Sequence, residues 1–96
     1  MRQREWTFLS NYGHVLVSLS RDPDARMRDV AEAVGITERA VQQLVAELVG
    51  QGYLRKVKVG RRNQYEVVGS THLRHGLEAH VTVGDFLGLL ASRSQP

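Results

Sequence analysis

Residues 27–46, MRDVAEAVGITERAVQQLVA, constrain the fold of this chain more than any other stretch. Val30, Ala31 and Val34 recur at helical spacing and form one apolar face. Gly35 then stops the helix, as glycine does where the backbone must turn left-handed. Ile36 follows as an apolar plug, and Thr37 is placed to cap the next helix. Val41, Leu44, Val45 and Leu48 give that second helix its own apolar face. Ala31 is small, as a residue must be where two helices cross steeply. The pattern predicts a helix-turn-helix, whose second helix, about 37–50, is the kind that enters a DNA major groove while its partner braces it.

The flanking sequence completes a small domain. Val15, Leu16 and Leu19, with Tyr12 one turn earlier, predict a helix over about 10–20. Trp6, Phe8 and Leu9 either extend it or fold back onto the core. Asp22-Pro23-Asp24 is a turn signal, after which Arg26 and Met27 read as a short extended bridge and a second helix starts near Arg28. Gly50 and Gly52 end the third helix. From Tyr53 the period changes to two: Val57 and Val59 alternate with Lys56 and Lys58, and Tyr65 and Val67 alternate with Gln64 and Glu66. With Gly60-Arg61-Arg62-Asn63 between them, these runs predict a hairpin over 57–67 with one apolar face, one polar face and two arginines at its tip. Residues 70–81 show little periodicity. Residues 82–91 read as a last helix, with Thr82 and Asp85 as a capping box and Val83, Phe86, Leu87 and Leu90 on one face. The expected fold is one α+β domain over 1–96, with a three-helix core, a two-stranded hairpin and one C-terminal helix.

The charge is unevenly spread. Residues 1–52 carry six basic and seven acidic side chains, and residues 66–96 carry two and three. Residues 53–65 carry five basic side chains, Arg55, Lys56, Lys58, Arg61 and Arg62, and no acid, so the whole net charge of +3 arises there. A block of one sign asks for an anionic partner. The absence of cysteine removes disulfide scaffolds, thiolate metal sites and cysteine nucleophiles together. No apolar run approaches the roughly 18 residues of a membrane span, and the polar N-terminal stretch lacks a small-residue cleavage site. These features predict a cytoplasmic, nucleoid-associated protein.

Taken together, the Val30-Ala31…Val34-Gly35-Ile36-Thr37…Val41…Leu44 pattern, the LVGQGYL run at 48–54 and the VGRRNQYEV run at 59–67 resemble the winged helix-turn-helix transcriptional regulators of the MarR and ArsR type. The resemblance covers about 10–68, and in such families a helix with this ending leads straight into the wing. It implies a regulator that binds double-stranded DNA as a homodimer, with helix 37–50 in the major groove and wing 57–67 on the minor groove and backbone. The sequence departs from the pattern in having one candidate helix after the wing. The usual ligand pocket and the paired metal-ligand motifs of metal-sensing ArsR members are not evident.

The DNA-contacting residues follow from that placement. Arg39, Gln42 and Gln43 lie away from the apolar face of the third helix, and arginine and glutamine read guanine and adenine edges by paired hydrogen bonds. Thr37 offers a hydroxyl and helix-start N–H groups to a phosphate. Glu38 either reads a cytosine amino group or supports the positive end of the helix dipole. Arg61 and Arg62 suit a narrow minor groove. Lys56 and Lys58 suit flanking phosphates, and lysines also protect an exposed strand edge. Arg28 is a further phosphate contact.

Other chemistry is thinly represented. His72, His75 and His80 lie near Glu78, and a ligand- or metal-responsive sensor built on 72–80 is one alternative. Their spacing matches no closed metal site, so surface or hydrogen-bonded histidines are expected, with no metal and no cofactor. A protein–protein module is another alternative, disfavoured because the third helix exposes Arg and Gln where such a module needs an apolar face. No residue pattern points to catalysis. Phe86, Leu87, Leu89 and Leu90, with Trp6 and Phe8, either complete the monomer's core or form a dimer seam; because the four on the last helix cover more than one helical face, the extension 69–96 is expected to carry a dimerisation helix.

Overall fold

The structure, a computed structural model, describes residues 6–92. Helices α1 (Asn11–Arg21), α2 (Met27–Val34) and α3 (Glu38–Gly50) precede an antiparallel hairpin of β1 (Leu54–Val59) and β2 (Arg62–Val67), and α4 (Val83–Ser92) follows. This is the expected α+β arrangement of a helix-turn-helix followed by a two-stranded wing.

Each boundary has a local cause. Ser10 caps α1, its Oγ accepting the Gly13 N–H at 3.4 Å. At the end of α1, Asp22 Oδ1 accepts the Asp24 N–H at 3.1 Å, so the acid before Pro23 makes its own turn. Met27 is helical, where a short extended bridge was expected. Gly35 has φ 91°, and the Gly35 and Ile36 N–H groups both donate to the Ala31 carbonyl, at 2.8 and 3.1 Å. The second bond is the long-range closure of a Schellman motif, which needs a left-handed residue. Thr37 caps α3, its Oγ1 accepting the Ala40 N–H at 3.0 Å.

The core gathers Val15, Leu16 and Leu19 from α1, Val30 and Ala31 from α2, and Val41, Val45 and Leu48 from α3. Tyr53 and Leu54 carry it into the base of the hairpin, and Val83 and Leu87 add α4. Trp6 and Phe8 neither extend α1 nor fold into this core; they are 73% and 94% exposed.

The hairpin departs from expectation in two ways. The turn is only Gly60-Arg61, so Arg62 and Asn63 belong to β2 and not to the tip. Gly60 has φ 62° and Arg61 a negative φ, the sign pattern of a II′ turn. The register also pairs Lys56 with Tyr65, Leu54 with Val67 and Val57 with Gln64. Paired residues share a face, so Tyr65 and Val67 lie with Leu54 and the lysines, and Val57 and Val59 lie on the other face. The expected division into one apolar and one polar face fails because the two strands' apolar periods are out of phase across the turn.

Residues 70–82 form a closed loop stitched to the rest. Leu73 N–H donates to the Val81 carbonyl at 2.9 Å, His72 bridges Thr82, and the Tyr53 hydroxyl donates to the His72 carbonyl at 3.0 Å. Helix α4 then docks by its start: Val83 N–H reaches the Thr71 carbonyl at 2.8 Å and Gly84 N–H the Gly69 carbonyl at 2.9 Å. A Cβ on Gly84 would sit 2.9 Å from that Gly69 oxygen, which is why a glycine stands there. Among the described residues, no helix is long and apolar enough to cross a membrane.

Gly35→Val places a β-branched residue at φ 91°, and should cost about 2 kcal/mol or more, lowering Tm by roughly 10 °C; an unchanged melting curve would show that the turn does not need this conformation. On α4, Leu87 is 8% exposed and Leu89 62%. Leu87→Ala should therefore cost about 2–4 kcal/mol and Leu89→Ala about 0.5 or less, in paired denaturant titrations.

Candidate nucleic-acid interface

The candidate interface is built on α3, whose outer face the core leaves to solvent. Val41, Val45 and Leu48 point inward, and Glu38, Arg39, Gln42, Gln43 and Ala46 are exposed. Arg39, Gln42, Gln43 and Ala46 follow helical spacing and share one face. No hydrogen bond or ion pair with another described side chain engages Arg39, Gln42 or Gln43. Thr37 accepts the Ala40 N–H, which orients its hydroxyl and leaves the hydroxyl proton able to donate outward. Glu38, the first residue of the helix, lies at the positive end of its dipole.

Arg28 is exposed in the first turn of α2, whose start is capped by the Arg26 backbone with no side-chain hydrogen bond. Its charge is unfavourable to the helix dipole at that end, so it contributes little to holding α2 together.

The five basic residues of the wing divide into two groups. Arg55 pairs across the strands with Glu66 at 3.1 Å, and Arg62 pairs with Asp24 at 3.5 Å. Among the described residues, Lys56, Lys58 and Arg61 have no such partner, and all three are exposed. Arg61 occupies the turn itself. Sequence spacing gave no sign of the Asp24 contact, because the two residues lie 38 positions apart and meet only once the wing folds back toward the turn after α1.

A second feature lies at the C-terminal end of α3. A cleft of about 740 Å³ opens between the start of α1, the end of α3 and the 70–82 loop. Leu9, Leu16, Leu48, Val83 and Phe86 form much of its wall, and Tyr12, Glu47, Arg74, His75 and Glu78 form its polar edge. The Tyr12 hydroxyl donates to Glu47 at 2.5 Å, and this bond to a carboxylate raises the phenol above its usual pKa. The histidines are turned to local work: His72 Nδ1 lies 2.7 Å from the Ala79 carbonyl, and His75 Nδ1 accepts the Leu77 N–H at 3.0 Å. Among the described residues, no three His, Asp or Glu side chains are grouped to hold a metal ion. No sequence spacing signals the cleft, since it joins residues from four separate parts of the chain.

The model of the MarR family matches residues 9–62. No curated protein matches the sequence. Among solved structures, the chain is similar to the zinc-dependent MarR family transcriptional regulator AdcR in its Zn(II)-bound state, with a TM-score of 0.53 and 22% identity, covering 69% of this chain and 47% of that one. It is also similar to the PcaV transcriptional regulator from Streptomyces coelicolor in complex with its natural ligand, with a TM-score of 0.51 and 27% identity, covering 92% of this chain and 64% of that one. This chain thus spans less than two thirds of the length of either regulator.

Proposed function

The chain belongs to the MarR family, and on that footing we propose that it is a transcriptional regulator that binds double-stranded DNA sequence-specifically, with α3 in the major groove and the wing on the minor groove and backbone. The observation that carries this reading is the pairing of two surfaces that no described side chain engages: the Arg39–Gln42–Gln43 face of α3, and the wing cations Lys56, Lys58 and Arg61. Cations left without acids on a fold otherwise balanced in charge are free to displace the counterions of a polyanion.

The roles divide by chemistry. Arg39, Gln42 and Gln43 read base edges, and Glu38 either accepts from a cytosine amino group or stays with the helix dipole. Thr37, Arg28, Lys56 and Lys58 bind phosphates and fix the register. Arg61, at the turn, leads the wing into the minor groove, where a narrow channel concentrates negative potential.

Binding should weaken steeply with salt. Neutralising three to five phosphates per subunit gives a log-log slope of about −3 to −5, and a slope near zero in an anisotropy titration sinks the DNA reading. On a selected site, Arg39→Ala or Gln43→Ala should cost about 1–3 kcal/mol and relax base preference, whereas Lys58→Ala should weaken all sequences alike. Site selection that survives both α3 substitutions would place the reading face elsewhere.

We also propose that the regulator acts as a homodimer, reading two half-sites about 34–36 Å apart. Trp6, Phe8, Leu77 and Leu89 are between 62% and 94% exposed, which supports a covered apolar surface. Leu87, expected at the seam, contributes to the monomer's own core. Phe8→Glu with Leu89→Glu should yield a folded monomer by sedimentation; a wild-type protein that is monomeric at concentrations on the order of tens of micromolar removes the proposal.

An effector-responsive variant of this reading rests on the cleft. Its volume of about 740 Å³ falls within the roughly 300–1,000 Å³ of small-molecule sites, and apolar walls with a few polar groups are the usual lining. A screen of small amphipathic molecules should find some that raise Tm in the wild type and not after Tyr12→Ala with Arg74→Ala. If none does, or if both proteins respond alike, the cleft binds no effector.

A further inference from the structure

We infer that Asp24 is a positioning residue for the wing, holding Arg62 and Gln64 so that Arg61 alone leads the hairpin toward DNA; the inference rests on the DNA-binding reading above. Arg62 Nη2 donates to the Asp24 carbonyl at 3.0 Å and lies 3.5 Å from Asp24 Oδ1. Gln64 Nε2 donates to the same Oδ1 at 2.8 Å. Pro23, next to Asp24, offers its carbonyl to the Tyr65 N–H at 3.4 Å. One two-residue stretch of the turn after α1 therefore holds three residues of β2.

The anchor is itself fixed. Asp22 Oδ1 accepts the Asp24 N–H at 3.1 Å, and the Asp22 carbonyl accepts the Ala25 N–H at 3.1 Å, so the Asp24 backbone is held by its own turn. The wing, in contrast, has little else to orient it beyond its base. Leu54, Tyr65 and Val67 seat the base on the core, but Lys58, Asn63 and Val59 are exposed, and a two-stranded hairpin is marginal by itself. Arg62 and Gln64 are two apart on β2, so both side chains leave the same face and meet one acceptor. The contact lies between seated base and free tip, where a small force has the greatest leverage on the direction of Arg61.

The sign of the charge makes the inference testable. Asp24 is an acid beside a surface read as facing a polyanion. If it only lowers the local potential, removing it should tighten DNA binding. If it positions the wing, removing it should weaken binding although the protein becomes more positive. The two roles of Arg62 separate in the same way. An arginine on a phosphate contributes about one counterion to the salt slope, whereas one held by Asp24 contributes none.

The experiment combines nitrogen-15 relaxation on the free, full-length protein with anisotropy titrations of a fluorescein-labelled mixed-sequence duplex. Asp24→Ala should raise the mobility of residues 58–63 while leaving Tm near the wild-type value, since exposed ion pairs add little to global stability. It should also weaken duplex binding about five-fold, the scale of one polar contact. Arg62→Ala should weaken binding similarly with an unchanged salt slope, and the double variant should be no weaker than either single one. Asp24→Asn, which restores the Oδ1 acceptor for Gln64 without the charge that faces Arg62, should recover part of the loss. Arg61→Ala should lower the slope by about one. Tighter binding by Asp24→Ala, a slope lowered by about one in Arg62→Ala, or unchanged wing mobility overturns the inference. Salt-independent or absent duplex binding by the wild type is a separate failure, of the DNA reading itself, and takes the positioning role with it.

Discussion

The crossing of α2 and α3 is the constraint on which the rest of this molecule depends. Three requirements meet within six residues: Ala31 must be small, its carbonyl must take the N–H groups of Gly35 and Ile36, and Gly35 must be left-handed to bring the second into reach. The pair of bonds bends the chain back at once, so that Thr37 can open a new helix two residues later. Val30 and Val41 are then fully buried against the hydrophobic face of α1. The outer face of α3 is a consequence: a helix that buries Val41, Val45 and Leu48 must present Arg39, Gln42 and Gln43 on its other side.

The base of the wing is fixed by the same core. Tyr53 and Leu54 follow α3 almost without a loop, because Gly52, with φ 85°, allows an immediate reversal. Tyr53 then serves several neighbours: its ring is buried, its hydroxyl donates to the His72 carbonyl, and its own carbonyl accepts the Val68 N–H at 2.9 Å. Through Val68 and Gly69 the far end of β2 runs into the docking site of α4. The wing base is thus clamped between the three-helix core and α4, and only its outer half is left to the polar contacts at Asp24.

The helical core was legible in the sequence because its signals are local. Val30 to Leu48 carry the right period, Gly35 marks the turn, and Thr37 and Thr82 are caps that the structure uses. The hairpin was legible as an element but not in its pairing, because a period of two fixes the faces of each strand separately and the turn decides how they match. The turn formers at Gly60 and Asn63 suggest a four-residue tip with Arg62 in the loop; a two-residue turn moves it into β2 and within reach of Asp24. That contact and the cleft join residues far apart in the chain, and no spacing rule reaches across such distances. The same limit applies to α4, where Phe86, Leu87, Leu89 and Leu90 look alike in sequence and only packing separates buried Leu87 from exposed Leu89.

The distribution of charge shows how a modest net charge becomes a directed one. A block of five cations on a hairpin would repel itself and bind any anion without preference. Here Glu66 takes up Arg55 within the sheet, and Asp24 takes up Arg62 from outside it. These exposed pairs add little to stability, but they decide which charges remain. The remaining ones, Lys56 and Lys58 on β1 and Arg61 in the turn, run from the base to the tip along one strand. The basic block is therefore reduced to a line, and a line of cations on a protruding hairpin can follow a backbone or a groove where a diffuse patch cannot.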